Sequence, residues 1–522
     1  MRGRTVAERR SGEWKGTTGL MFSPSLMFSG VKTPWIPARG FGRRVYFRAL
    51  NDPSMSKIKF GTDGWRAIIA QEFTVDNVAR VTVAVADWVR QRDPEGPSVV
   101  VGHDCRFAGE LFADTVAKVL ISKGVRVHMA KGFVSTPMIS LAAHGLKTSM
   151  GVIITASHNP PSYNGYKLKG NHGGPLIPEE VQEVEDMIPD VHGVDLASID
   201  LVKAEAEGML QFVDLEGMYV AHVEKHFDLA AIRNSGMKLA FDAMYGSGQN
   251  VIPRILPEAT LLHCTHDPTF QGQAPEPIHK NLLEFSELVR NSDISSGLAI
   301  DGDADRIGLY NGEGRFIDSH HIILLLIHYL VKYKGFKGKV VVAFSTTPKV
   351  RNMCAHYGLE YQVTKIGFKW IAGIMITEDV LLGGEESGGI AIKGHIPERD
   401  GIWMGLTIWE FMAKSGKGLD ELIQEVYDIV GPFAYERNDL HISEALKQEV
   451  LKGCAEDRFK RFGDLEVRSV ETIDGYKYHF DNEQWLMIRA SGTEPVLRCY
   501  AGSDSLENAR KILADCQRTI GA

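Results

Sequence analysis

From Ile58 to about Val202 the chain alternates short β-branched runs with longer stretches of helical periodicity. Residues 98–102, 125–130 and 151–155 predict strands, and residues 75–90 and 110–123 space their apolar positions as helices do. The same grammar recurs from Asp214, with helix 215–227, strand 238–242, helix 248–256 and strand 297–300. It recurs again from Phe316, with helix 321–333, strand 339–344, helix 348–357 and a loop-rich strand at 380–382. Alternation of this kind predicts a parallel or mixed sheet covered by helices. After Gly431 the order changes to strands at 465–472, 476–480, 485–488 and 496–501, then a helix that Ser505 caps and residues 506–513 continue. The chain therefore reads as α/β: three similar mixed-sheet α/β domains at 55–205, 206–314 and 315–431, then a smaller C-terminal α+β domain at 432–522.

A length of 522 residues exceeds what one core supports, in agreement with several domains. With 44% hydrophobic and 24% charged residues the composition is that of a soluble globular protein. The net charge of −8 argues against a nucleic-acid surface. The longest apolar run, 322–331, is shorter than the roughly 20 residues that span a bilayer. Six cysteines lie scattered without a C-x-x-C pair, which speaks against a zinc site or a disulfide framework and for a reducing, cytoplasmic location. Residues 1–54 stand apart: ten Lys and Arg against Glu8, Glu13 and Asp52 give +7, leaving −15 for the remainder. This basic extension is expected to be disordered. It reads either as an organelle transit peptide or, preferably, as sequence upstream of a natural start at Met55.

Candidate chemistry sits in loops that follow apolar strands. Thr155-Ala156-Ser157-His158-Asn159-Pro160 sets one serine in a sharp polar loop at a strand end, where ligands collect in open α/β sheets. An ordinary turn is the competing reading. Asp301-Gly302-Asp303-Ala304-Asp305-Arg306 alternates three carboxylates with small residues, hard oxygen ligands suited to Mg²⁺. A calcium loop is excluded because its sixth position is Arg306 rather than Gly, and its twelfth is Gly312 rather than Glu. Arg306 stands beside the aspartates and is suited to phosphate oxygens. Gly383-Gly384-Glu385-Glu386-Ser387-Gly388-Gly389 offers carboxylate and hydroxyl groups to sugar hydroxyls, although a plain glycine-rich turn explains its glycines equally well. Arg489-Ala490-Ser491-Gly492-Thr493-Glu494-Pro495 offers a guanidinium, two hydroxyls and a glycine-freed backbone, a nest for phosphate, with a β-hairpin carrying a surface arginine as the competing reading. A serine hydrolase fits poorly: Ser157 and His158, adjacent in an extended loop, would point to opposite sides, and the G-x-S-x-G elbow is absent.

Together with Phe60-Gly61-Thr62-Asp63-Gly64-Trp65-Arg66, these loops resemble, in this order and from Ile58 to the C-terminus, the α-D-phosphohexomutase superfamily, phosphoglucomutase/phosphomannomutase type. The resemblance implies four domains around a central cleft and reversible transfer of phosphate between C1 and C6 of a hexose phosphate, through a phosphoserine and a hexose 1,6-bisphosphate that also serves as activator. Ser157 would carry the phosphate, and Asp301, Asp303 and Asp305 would hold Mg²⁺ with a phosphoserine oxygen. Arg66, His158, Lys167 and Arg306 would lie near the transferring phosphate, Lys167 as the candidate for proton handling. Glu385 and Ser387 would meet the sugar hydroxyls, and Arg489, Ser491, Gly492 and Thr493 the phosphate that is not reacting. Many mannose-type members have histidine where this chain has Gly389, which leaves His395 or Arg399 as candidates on that side. The segment Thr364-Lys365-Ile366-Gly367-Phe368-Lys369-Trp370 resembles the glucose-type specificity loop, with Lys369 as a substrate contact. Glucose phosphate is thus the expected substrate, with mannose, glucosamine or pentose phosphates as alternatives, and no nucleic acid or membrane partner. The chain is expected to be a monomer or homodimer. A non-catalytic sugar-phosphate sensor would have lost Ser157 or an aspartate, and all are present.

Overall fold

The computed structural model describes residues 57–490 and 496–522, so the expectations for the basic extension and for Ser491, Gly492 and Thr493 lie outside the described residues. The first sheet has six strands in the order Trp65–Ile68, Tyr163–Gly170, Met150–Ile154, Ser98–His103, Arg126–Ala130, Leu210–Val213. Strand Leu210–Val213 pairs with Arg126–Ala130, so the first sheet reaches past residue 205. The second runs Phe316–Ile317, Ile307–Asn311, Ser296–Ile300, Leu239–Asp242, Thr260–Leu262, and the third Tyr361–Thr364, Lys339–Ala343, Val380–Gly384, Ile390–Ile392.

One device repeats in all three. A buried parallel strand ends, turns through a short loop and returns as an antiparallel neighbour: Met150–Ile154 into Tyr163–Gly170, Ser296–Ile300 into Ile307–Asn311, and Val380–Gly384 into Ile390–Ile392. The three turns are the serine, aspartate and Gly-Glu-Glu-Ser loops. The return strands were not expected from the sequence, because Tyr163–Gly170 and Ile307–Asn311 interleave Gly, Asn and Lys with apolar residues although both are almost wholly buried.

Polar side chains fix where helices begin. Thr74, Ser135, Asp214, Asp318, Asp400 and Ser505 each accept a backbone N–H of the first turn. The helix expected at 321–333 starts at Ser319 and finishes as a π-helix over Tyr329–Tyr333, and the one expected at 248–256 contracts to Val251–Ile255. The last sheet is antiparallel, in the order Ala434–His441, Val496–Ser503, Trp485–Ala490, Tyr476–His479, Ser469–Glu471, with helix Leu506–Ile520 packed on it. The strand expected at 465–472 is broken, because Leu465–Glu466 folds back onto Arg461–Phe462 across Gly463, whose φ is +56°. Among the described residues no helix is long and apolar enough to cross a membrane.

One face of the first domain, around Met138, Ile139 and Ile153, shares a hydrophobic core with the second and third domains, whereas the last domain has its own around Phe462, Leu486, Ile488, Leu497 and Ile512. Helix Gly401–Ser415 joins the second and third, lying on strand Ser296–Ile300 so closely that a Cβ at Gly405 would fall 2.3 Å from Leu298 Cδ2. Gly405→Val should therefore overpack this joint at a cost of about 1–3 kcal/mol. The expected readout is a lowered thermal midpoint by circular dichroism; an unchanged midpoint would show that the helix has room to lift.

Candidate active site

Strand Met150–Ile154 delivers Thr155 and Ser157 to its C-terminal end, and two buried groups shape the turn. Thr155 Oγ1 donates to Asp104 Oδ2 at 2.5 Å and accepts from Ser157 N at 2.9 Å. The Arg106 guanidinium, 3.2 Å from Asp104, donates to the carbonyls of Ser157, Asn159, Pro160 and Tyr163. Ser157 is held at φ +50°, the left-handed region that a non-glycine residue occupies at a cost. The loop is thus not extended, and Ser157 and His158 do not point to opposite sides as expected: Ser157 Oγ lies 3.4 Å from His158 Nδ1. Its short bond goes elsewhere, to Asp301 Oδ2 at 2.6 Å. Burial, and then Arg306, Arg66, Lys167 and Arg106, hold His158 well below the usual imidazole range, which keeps the ring neutral.

Asp301, Asp303 and Asp305 are fully buried, with a carboxylate oxygen from each within 4.8 Å of the others. Thr136 donates its hydroxyl to Asp303 Oδ2. Lys167 Nζ lies 2.7 Å from Asp303 Oδ2, 2.9 Å from Asp305 Oδ2 and 2.7 Å from Asp63 Oδ2. Burial opposes charge on Lys167, but Asp303, Asp305 and Asp63 outweigh it and hold the amine above its ordinary range. Arg399 pairs with Asp63, and with Asp305 at 2.7 Å. Asp301 has only neutral donors, Ser157 Oγ and the Arg306 backbone N–H. Burial, followed by Asp305 and Asp303, pushes its carboxyl well above the usual range.

This arrangement fits a divalent cation. Lys167 and Arg399 pair with one oxygen of Asp305, and Lys167 with one of Asp303, but Asp303 Oδ1 and Asp305 Oδ1 are buried without any hydrogen-bond partner. Two unpartnered anionic oxygens beside a third carboxylate are a hard-oxygen ligand set open to Mg²⁺.

Around this centre the structure gathers most of the expected residues. Arg66 donates to Asn159 Oδ1 at 2.8 Å, and Arg306, 3.5 Å from Glu276, keeps a buried Nε without a partner. Glu385 accepts from Gly367 N at 2.9 Å and lies 3.9 Å from Arg399 Nη1. Lys369 Nζ reaches Gly61 O at 3.2 Å, and Ser387 is half-buried in the turn beyond Glu385. A Cβ at Gly389 would stand 2.4 Å from Arg399 Cδ, so the arginine stem fills the place a side chain there would need. Arg489 faces Asp474 at 3.3 Å in the last domain. His395 does not join the cluster. Its Nε2 meets Asp400 at 3.0 Å, its Nδ1 meets His222 at 3.3 Å, and its ring stacks on Trp403 with centroids 3.8 Å apart, so both nitrogens and one face support the cap of helix Gly401–Ser415. Sequence reasoning missed Asp63, Arg106 and Thr136. Asp63 stood inside a motif already singled out, whereas nothing local marks the other two.

A strained, buried serine against a carboxylate triad, on three repeated α/β domains with a fourth of separate core, defines a phosphosugar mutase. The chain belongs to the phosphoglucomutase/phosphomannomutase family: its α/β/α domains I, II and III match residues 57–192, 217–314 and 318–430, and its C-terminal domain matches residues 443–518. The chain is 31% identical over 460 residues to a phosphoglucomutase/phosphomannomutase of Thermococcus kodakarensis, covering 87% of this chain and 96% of that one. It is 28% identical over 472 residues to a phosphoglucosamine/phosphogalactosamine mutase of Sulfurisphaera tokodaii, covering 88% and 98%. A crystal structure from Thermus thermophilus, assigned to the phosphomannomutases, superposes with a TM-score of 0.78 at 32% identity, covering 90% of this chain and all of that one. The protein is a phosphomutase, an isomerase of a Mg²⁺-dependent superfamily with the buried aspartate triad in place.

Thr136→Val removes a support of Asp303 without touching its charge, and should weaken Mg²⁺ or Mn²⁺ binding by about 10–100-fold, the usual range for a group orienting a ligand. Asp303→Asn should weaken it further. Calorimetric titration of the metal alone measures both, and equal affinity in all three proteins would remove the triad from metal binding.

Proposed function

We propose that this enzyme moves phosphate reversibly between C1 and C6 of a hexose phosphate, with Ser157 as the phosphoryl carrier and a hexose 1,6-bisphosphate as intermediate and activator. The observation that carries the reading is the 2.6 Å bond from Ser157 Oγ to Asp301, which sets the one strained hydroxyl of the loop against the triad. In the first half-reaction the bond between phosphorus and the Ser157 oxygen breaks as one forms to the free sugar hydroxyl, whose proton departs. The bisphosphate turns over in the cleft. In the second, the Ser157 oxygen takes the other phosphate, and the isomeric monophosphate leaves. The metal, held by Asp301, Asp303, Asp305 and a phosphoserine oxygen, supplies neutralisation of charge on the transferring group when bound.

Arg66, His158 and Arg306 contribute positive charge or hydrogen-bond donors around that group. Lys167 is kept as an ammonium by its carboxylates in the metal-free site; with those carboxylates engaged by the metal it would be freer to release that proton, and as the neutral amine it is our candidate for accepting the proton of the sugar hydroxyl. Glu385, Ser387, Lys369 and Arg399 take the sugar side. Arg489, with Ser491, Gly492 and Thr493, takes the phosphate that is not reacting, whose binding positions the sugar for attack.

Glucose phosphate is the substrate we favour, with mannose phosphate also turned over. The arginine stem over Gly389 supports this choice, since it leaves no room for the histidine of many mannose-type members. The test is catalytic efficiency on the 1-phosphates of glucose, mannose, glucosamine and a pentose, each primed with its bisphosphate. Glucose 1-phosphate should lead, and a higher value for glucosamine 1-phosphate would reassign the substrate within the superfamily. Ser157→Ala should lose at least about a thousandfold in kcat, as loss of a covalent nucleophile does, and should lose the phosphoryl mass increment in intact-mass measurement. Full activity in that variant would overturn the carrier role.

A further inference from the structure

The turn between strands Ser469–Glu471 and Tyr476–His479 brings Asp474 to a junction that the roles above leave unused. Asp474 Oδ2 accepts the backbone N–H of Ile366 at 2.9 Å, and its Oδ1 forms an ion pair with Arg489 Nε at 3.3 Å. The turn is pressed against the arginine: Gly475 has φ +105°, and a Cβ there would lie 2.8 Å from Ile488 O and 3.1 Å from Arg489 Cβ. With Nε facing Asp474, the two terminal nitrogens of Arg489 have no ion-pair partner among the described residues, which suits the bidentate contact that guanidinium makes with phosphate.

The neighbouring N–H points the other way along the same chain. Gly367 N donates to Glu385 Oε1 at 2.9 Å, Glu385 stands 3.9 Å from Arg399, and Arg399 pairs with Asp305 at 2.7 Å. Consecutive backbone N–H groups thus bind a carboxylate of the last domain and the carboxylate on the sugar side. Asp474 is the point at which the distal arginine and the 364–370 loop are held by one group.

Docking of the last domain does not hang on this contact. Lys477 donates to the carbonyls of Phe344 and Thr346 at 3.1 and 2.8 Å, and Glu386 accepts from Tyr435 at 2.7 Å and Arg437 at 3.3 Å. Phe344 also packs with Trp485, Met487 and Tyr500. Asp474 can therefore be altered while the interface stays.

We infer that Asp474 is a positioning residue: it aims Arg489 at the phosphate that is not reacting and, through Ile366 and Gly367, sets Glu385 against the sugar. This inference rests on the mutase reading and on the part assigned there to Arg489. Two variants separate its two bonds. Asp474→Asn keeps an acceptor for Ile366 N–H but removes the charge facing Arg489, and should raise KM for the hexose 1-phosphate about 3–10-fold with kcat within about twofold of wild type. Asp474→Ala frees the loop as well, and should add a fall in kcat of about tenfold or more, the kind of loss that follows misplacement of a substrate contact.

Steady-state kinetics of the full chain, with circular dichroism to confirm the fold, provides the measurement. Wild-type KM in Asp474→Asn would overturn the role at Arg489. Equal kcat in the two variants would overturn the role at the loop. A wild-type chain inactive on every hexose 1-phosphate would instead overturn the mutase reading, and this inference with it.

Discussion

Negative charge buried at a junction of domains is the constraint on which the remaining structure depends. Asp63 and Lys167 come from the first domain, Asp301, Asp303 and Asp305 from the second, and Arg399 from the third, and they meet almost out of contact with water. A single carboxylate cannot stay ionised there without partners, and a lone ammonium cannot either. Each domain therefore completes the others electrostatically. The arrangement still leaves hydrogen-bonding capacity unused, because Asp303 and Asp305 each keep an oxygen without a partner. Removing one partner would leave an uncompensated buried charge, so the domains that carry these groups are held in mutual register by the same ions that line the candidate site.

The fold was legible where local physics decides it. Parallel strands buried on both faces read as β-branched runs, and helices with a polar cap and an amphipathic face read as helices. The return strands were hidden, because Tyr163–Gly170 buries Lys167 and Lys169 in the site rather than exposing them, a tertiary fact with no local signature. The buried aspartate triad was legible for the opposite reason: a cation site needs several oxygens close together, and a short loop supplies them in sequence. Arg106 and Thr136 act on residues far along the chain, Arg106 on the serine loop and Thr136 on Asp303, so no spacing rule marks them. His395 looked like chemistry because histidine often is, but its ring nitrogens are already engaged by Asp400 and His222.

The three reactive loops occupy the same place in three copies of one design, the turn that reverses a parallel strand into an antiparallel neighbour. A strand end in such a sheet leaves backbone donors and side chains facing a shared crevice. One copy presents the Ser157 hydroxyl, one the three aspartates and one Glu385. Arg399 marks where the copies interlock: it enters beside Gly389 of the third loop and ends on Asp305 of the second.

The left-handed backbone at Ser157 has a consequence for how such a sequence can change. Glycine adopts that conformation without penalty and asparagine nearly so, whereas serine does not. Stability alone would favour replacing Ser157, and the clamp of Arg106 and Thr155 is what makes the less comfortable residue tolerable. In a lineage released from catalysis, drift at this position should run toward glycine or asparagine, and the constraint on Arg106 should relax with it. On the carrier role proposed above, a serine kept at this turn would be a record of selection for chemistry against the preference of the backbone.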